Sequence, residues 1–141
     1  MATRSKHLER LAEIPLFATL NKRDLQSISK ATSEITQPAG TVLMREGDTG
    51  REALVIVSGT VTVKRNGRKV ASLGAGDAVG ELSLLDHGPR TATVTADTDT
   101  TLLVLGARDF VELLEQVPNL NRKVLARLAG MVRDTDRRIY G

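Results

Sequence analysis

The 141-residue chain is 40% hydrophobic and 26% charged with a formal charge of +3, a length and composition that suit one globular domain with a real core. Only 2% of residues are aromatic and none is cysteine, which leaves no stacking platform for single-stranded nucleic acid and excludes disulfides, thiolate metal sites and cysteine nucleophiles. The charge is uneven, +3 over residues 1–30, −4 over 31–117 and +4 over 118–141, and basic ends around an acidic middle argue against DNA as a partner.

In chain order, Leu8, Leu11, Ala12 and Ile14 predict a short amphipathic helix stopped by Pro15. Asn21 is the expected N-cap of a second helix, with Asp24 in its first turn and Leu25, Ile28 and Ala31 at helical spacing. Together these helices occupy about residues 8–31. From Ser33 the pattern changes to short β-rich runs, Thr41–Met44, Ala53–Ser58, Thr60–Lys64, Lys69–Leu73, Thr91–Ala96 and Thr101–Leu105, separated by glycine-containing turns. Asn66-Gly67 is a two-residue hairpin signal. So many short strands over about residues 33–106 indicate a β-sandwich or a jelly-roll barrel. Helical pattern returns at Arg108–Val117, and Pro118 is expected in the first turn of a last helix, the two helices covering about 108–139. In that helix Leu125, Leu128, Val132, Thr135 and Ile139 recur at alternating spacings of three and four and form a heptad seam. The seam suits a homodimer and equally suits packing on the chain's own sheet. No apolar run approaches the roughly 20 residues of a membrane span, so a cytoplasmic protein without a membrane partner is expected.

The stretch Val79–Val94, VGELSLLDHGPRTATV, concentrates the chemistry. Gly80 and Glu81 open a helical turn, and a single arginine, Arg90, follows nine residues after the glutamate. Unpaired N–H groups at a helix start and a guanidinium fork both match phosphate oxygens, so the segment suits a small phosphate-bearing ligand. Glu81 repels phosphate, which implies hydroxyl donors on the ligand close to its phosphate. One cation suits one negative charge. A triphosphate would need more, and no GxxxxGK[ST] run is present. Glu81 is also expected to pair with Arg90 in the empty site.

Helix, β-barrel and helix, with Gly-Glu-Leu-Ser-Leu-Leu and then Pro-Arg-Thr-Ala inside the barrel, resemble the cyclic nucleotide-binding domain of catabolite activator proteins, cyclic-AMP-dependent kinase regulatory subunits and nucleotide-gated channels. Ile14-Pro15-Leu16-Phe17, Gly40-Thr41-Val42-Leu43, Arg45-Glu46-Gly47-Asp48, Val55 to Val61 and Gly74-Ala75-Gly76-Asp77 support the match, which spans nearly the whole chain. The resemblance implies a single domain over residues 1–141, mainly β with flanking helices: a double-stranded β-helix (jelly-roll) barrel with N-terminal helices and two C-terminal helices. It implies that Arg90 binds the cyclic phosphate and Glu81 accepts the ribose 2′-hydroxyl. Gly80 and the N–H groups of Leu82 and Ser83 would form the amide cradle, with the Ser83 hydroxyl a further contact. Thr91 is associated in the family with tolerance of cyclic GMP, although cyclic AMP is the expected ligand. The last helix usually supplies a cap over the base, for which Thr135, Arg133, Arg137 and Tyr140 are candidates.

No catalytic constellation is present. His7 and His87 are far apart, His87 reads as a turn residue, and two histidines cannot supply a metalloenzyme's ligand cluster. The expectation is a non-enzyme with no metal and no cofactor beyond the nucleotide, and with no DNA-binding module, kinase or channel segment after the last helix. It would be a stand-alone ligand sensor that acts through that helix on an unidentified protein partner. The alternative is an interaction module on the same fold that no longer responds to nucleotide.

Overall fold

The computed structural model describes residues 2–86 and 88–140, with side chains from His7 to Asp86 and from Gly88 to Thr135; His87, expected in a turn, lies outside the described residues. The elements run α1 (Ala2–Ala12), α2 (Lys22–Ala31), β1 (Ser33–Gln37), β2 (Val42–Met44), β3 (Glu52–Ser58), β4 (Val61–Arg65), β5 (Arg68–Leu73), β6 (Ala78–Val79), β7 (Thr93–Ala96), β8 (Thr100–Gly106), α3 (Ala107–Gln116) and α4 (Leu120–Tyr140). Short 3-10 turns lie at Pro15–Phe17 and Glu81–Leu84.

Two antiparallel four-stranded sheets, ordered β1-β8-β3-β6 and β2-β7-β4-β5, face each other in the jelly-roll manner. Leu54, Ile56, Val61, Val63, Val94 and Leu102 fill the space between them. The opposite faces of β3 and β8, carrying Ala53, Val55, Leu103 and Leu105, meet the helices through Leu11, Phe17, Ile28, Phe110, Leu120 and Val124. Because both faces of these strands are covered, Ala53–Val57 and Leu102–Leu105 read as continuous apolar runs rather than alternating ones. The only ring pair described, Phe17–Phe110, packs with centroids 5.7 Å apart and ties the first turn to α3.

Local chemistry explains the boundaries. Asn21 caps α2 by accepting from the Asp24 N–H at 2.8 Å, while Asp24 Oδ2 accepts from the Asn21 N–H at 3.4 Å. The same Oδ2 accepts from Lys123 Nζ on α4 at 2.6 Å. Asn66 and Gly67, with φ of 53° and 77°, make the β4–β5 hairpin turn with both central residues left-handed, as the dipeptide predicts.

Several elements differ from expectation, among them the two-residue strand β6, which no expected run covered. The first helix begins at Ala2 rather than near Leu8. Strand β1 was not among the expected runs, because it is mostly exposed and held by main-chain pairing to β8, without apolar alternation. The seventh strand starts at Thr93 rather than Thr91, since the preceding residues belong to a loop pinned elsewhere. Pro118 precedes α4 instead of lying in its first turn: Asn119 at φ 65° breaks the chain direction, and the Leu120 N–H returns to the Val117 carbonyl at 3.2 Å. No helix among the described residues is long and apolar enough to cross a membrane.

Candidate functional site

The site forms where two loops are stapled together. The Arg90 N–H donates to the Asp48 carbonyl at 2.7 Å, the Gly47 N–H to the Arg90 carbonyl at 2.8 Å and the Gly50 N–H to the Gly88 carbonyl at 3.1 Å. With its backbone so fixed, Arg90 sends its guanidinium across to the Glu81–Leu84 turn. One terminal nitrogen donates to Ser83 Oγ at 3.0 Å and the other to the Glu52 carbonyl at 2.9 Å.

Glycine is required twice around this cation. Gly80 starts the turn at φ 74°, and a Cβ there would collide with the Arg90 guanidinium and lie 2.9 Å from Met44 Cε. Gly50 backs the site from the other side, where a Cβ would collide with Ser83 Oγ and lie 3.1 Å from Arg90 Nε. The turn is anchored by Leu84, which is 1% exposed in the helix-facing core, while its neighbour Ser83 faces Arg90.

Burial pushes the Arg90 pKa down, with the Glu52 carboxylate opposing the shift. No carboxylate lies within ion-pair distance of Arg90 among the described residues. The expected Glu81–Arg90 pair is therefore not formed. Glu81 turns instead toward the helices, where its Oε2 accepts from the Leu16 N–H at 3.4 Å. Burial raises the Glu81 pKa above the ordinary value of 4.5, and the Leu16 N–H and the Arg127 guanidinium pull it partly back. Arg127 reaches over from α4 and donates through Nε to the Pro15 carbonyl at 2.7 Å.

A cavity of about 560 Å³ opens in front of these groups, within the range of small-molecule sites. Gly80, Glu81, Leu82, Ser83, Arg90 and Thr91 all line it, so the structure brings the six expected contact residues together. Met44, Val63 and Val94 form its apolar wall. Leu82 is 52% exposed, Thr91 is exposed, and the Ser83 N–H closes the turn on the Gly80 carbonyl at 3.1 Å, so one of the two expected cradle amides is already engaged. Of the cap candidates, Arg133 and Thr135 are exposed on α4 and do not line the cavity, and the Thr135 hydroxyl donates to the Met131 carbonyl at 3.1 Å. The side chains of Arg137 and Tyr140 lie outside the described residues.

Three participants escape sequence reasoning. The Glu52 carbonyl is a backbone group with no residue signature. Gly50 reads as one more turn glycine. Arg65, at the end of β4, lines the cavity but reads as part of a solvated basic hairpin.

Residues 34–117 match the family model described as the cyclic nucleotide-binding domain, which is more than half of the chain. A cyclic nucleotide-gated potassium channel of Rhizobium etli is 40% identical over 110 residues, 78% of this chain and 31% of the channel. The chain spans under a third of the length of the first curated relatives it matches. The crystal structure of the N-terminal domain of a transcriptional regulator from Streptomyces coelicolor A3(2) superposes with a TM-score of 0.84 at 37% identity, covering 91% of this chain and 95% of that one. The regulatory domain of Toxoplasma gondii PKA, in a co-crystal structure with cAMP, gives a TM-score of 0.74 at 34% identity over 79% of this chain and 44% of that one. The chain belongs to the cyclic nucleotide-binding domain family.

Proposed function

We propose that this chain binds a purine cyclic nucleotide, cyclic AMP in the first place with cyclic GMP as competitor, and acts as a ligand-sensing regulatory module rather than a catalyst. The observation that carries the reading is Arg90: a guanidinium clamped between Ser83 Oγ and the Glu52 carbonyl, facing a cavity, with no carboxylate at ion-pair distance among the described residues. One fixed cation of this kind matches the single charge of a cyclic phosphodiester. Glu81 supplies an acceptor for the ribose 2′-hydroxyl, and the Thr91 hydroxyl stands at the rim for the amino group of guanine. Ligand contact is relayed through α4, whose exposed Leu125 and Val132 offer a second copy of the chain an apolar face. A protein partner not yet identified would read the change.

Calorimetric titration tests the binding. Saturable binding of cyclic AMP is expected, and Arg90→Ala is expected to weaken it about 10- to 100-fold, the range for losing a charge-assisted pair of hydrogen bonds. Unchanged affinity in that variant removes the assignment. The competing reading, a nucleotide-insensitive interaction module, draws on Glu81 already having the Leu16 N–H as a partner. A folded wild-type chain that binds neither nucleotide would establish it.

A further inference from the structure

We infer that Arg65 reads the purine base of the bound nucleotide, through the edge that carries N7 and the 6-substituent, and so adds a contact for cyclic GMP, the competitor of cyclic AMP, that cyclic AMP cannot match; this rests on the cyclic-nucleotide reading of the cavity. Along β4, Val61 and Val63 are buried between the sheets, and the two-residue period of a strand puts Arg65 on the same side, exposed at the open end of the wall. The lining of the cavity agrees, since Arg65 joins Val63, Thr91 and Ala92 there. Strand pairing sets Val63 opposite Val94 and Lys64 opposite Thr93, so Arg65 follows at the end of the wall next to the Arg90–Thr91 loop.

Its side chain is held, too. Arg65 Nε donates to the Thr91 carbonyl at 3.1 Å. That bond orients the guanidinium plane and leaves its two terminal amino groups to other partners. No ion pair consumes them among the described residues. Neither Glu46 nor Asp86 pairs with Arg65: Glu46 Oε1 accepts from the Asn66 N–H at 2.9 Å, and Asp86 Oδ1 from the Gly88 N–H at 3.2 Å.

The two arginines do different work because they are anchored at different places. Arg90 is drawn to Ser83 and Glu52, and Arg65 is hooked to the main chain of Thr91. A ligand with its phosphate on Arg90 and its ribose on Glu81 can lay its base along the apolar wall that Val63, Ala92 and Val94 form with Met44. Arg65 stands at the end of that wall. A pair of N–H donors side by side matches the adjacent acceptors O6 and N7 of guanine, whereas adenine offers N7 next to an amino donor. The single phosphate is already taken, so a base edge is the acceptor left for Arg65.

Titrating wild type, Arg65→Ala and Arg65→Lys with cyclic GMP and cyclic AMP tests this. Arg65→Ala is expected to weaken cyclic GMP about 10-fold and cyclic AMP less than about 3-fold, the spread expected of one lost two-point base contact. Arg65→Lys keeps the charge without the fork and is expected to lose the same contact. Equal weakening of both nucleotides, or undiminished cyclic GMP binding in the lysine variant, overturns the assignment. So does loss of binding in Arg90→Ala while Arg65→Ala leaves both affinities unchanged, an outcome that spares the cyclic-nucleotide reading itself. Wild type that binds neither nucleotide removes both.

Discussion

A carboxylate beside an anion site is unfavourable unless the ligand also donates to it. Glu81 stands in that position, and its burial raises its pKa above 4.5. The sign follows directly. A carboxyl raised by folding favours the folded state while protonated, and that contribution fades as pH climbs from the ordinary value through the raised one. Hydroxyl recognition needs the opposite form, the carboxylate. Cyclic-nucleotide affinity is therefore expected to rise with pH from the ordinary carboxylate value through the raised one and then level off. Calorimetry from about pH 4.5 to about pH 7 checks this, and Glu81→Gln should flatten the profile while weakening binding at the upper end. A wild-type profile already flat across the range would remove Glu81 from the ligand.

At the scale of elements, the helices of the two chain ends meet on one side chain. Asp24 is 4% exposed, closes the capping box of α2 and accepts from Lys123 on α4. Asp24→Ala is expected to destabilise by about 1–3 kcal/mol, combining a lost cap with a broken ion pair whose lysine can reach water. Thermal unfolding should show a fall of about 3–10 °C; an unchanged midpoint would mean that packing alone holds α2 on α4. Elements of this kind differ in how well the sequence announces them. Asn21, Asp24 and Asn66-Gly67 carry their turn and cap chemistry in their own side chains, so they were legible. The apolar runs of β3 and β8 were legible because burial on both faces leaves no polar position. Strand β1 was not, since its pairing resides in backbone groups shared by every residue type. The cavity-lining residues from Gly80 to Thr91 were readable as a motif, yet the clamp on Arg90 was not, because the Glu52 carbonyl comes from a strand 38 residues away. Nor was the direction taken by Glu81, which depends on the Pro15–Phe17 turn meeting it in space.

Across the whole molecule, α4 divides the expected seam between two jobs. Val124 is buried and Leu128 and Met131 pack against the helical core, whereas Leu125 and Val132 are 64% and 68% exposed one heptad apart. If that outer stripe joins two copies, sedimentation should give a dimer, and Leu125→Glu with Val132→Glu should return it to a monomer while the circular dichroism stays native. A wild-type chain that sediments as a monomer at all concentrations refutes the seam. The stripe and the cavity lie on different parts of the molecule, so the double variant should still titrate with nucleotide. Gly50 points the other way. Its φ is open to any residue, yet a Cβ there would press on Ser83 Oγ, the atom that steadies Arg90. One methyl group at residue 50 would therefore change no residue of the cavity lining and leave the surface and the seam in place while unseating Ser83 and the cation it steadies. Such a chain would be a look-alike, folded like its parent and deaf to its ligand, so a contact-residue inventory alone cannot tell a responsive copy from a silent one.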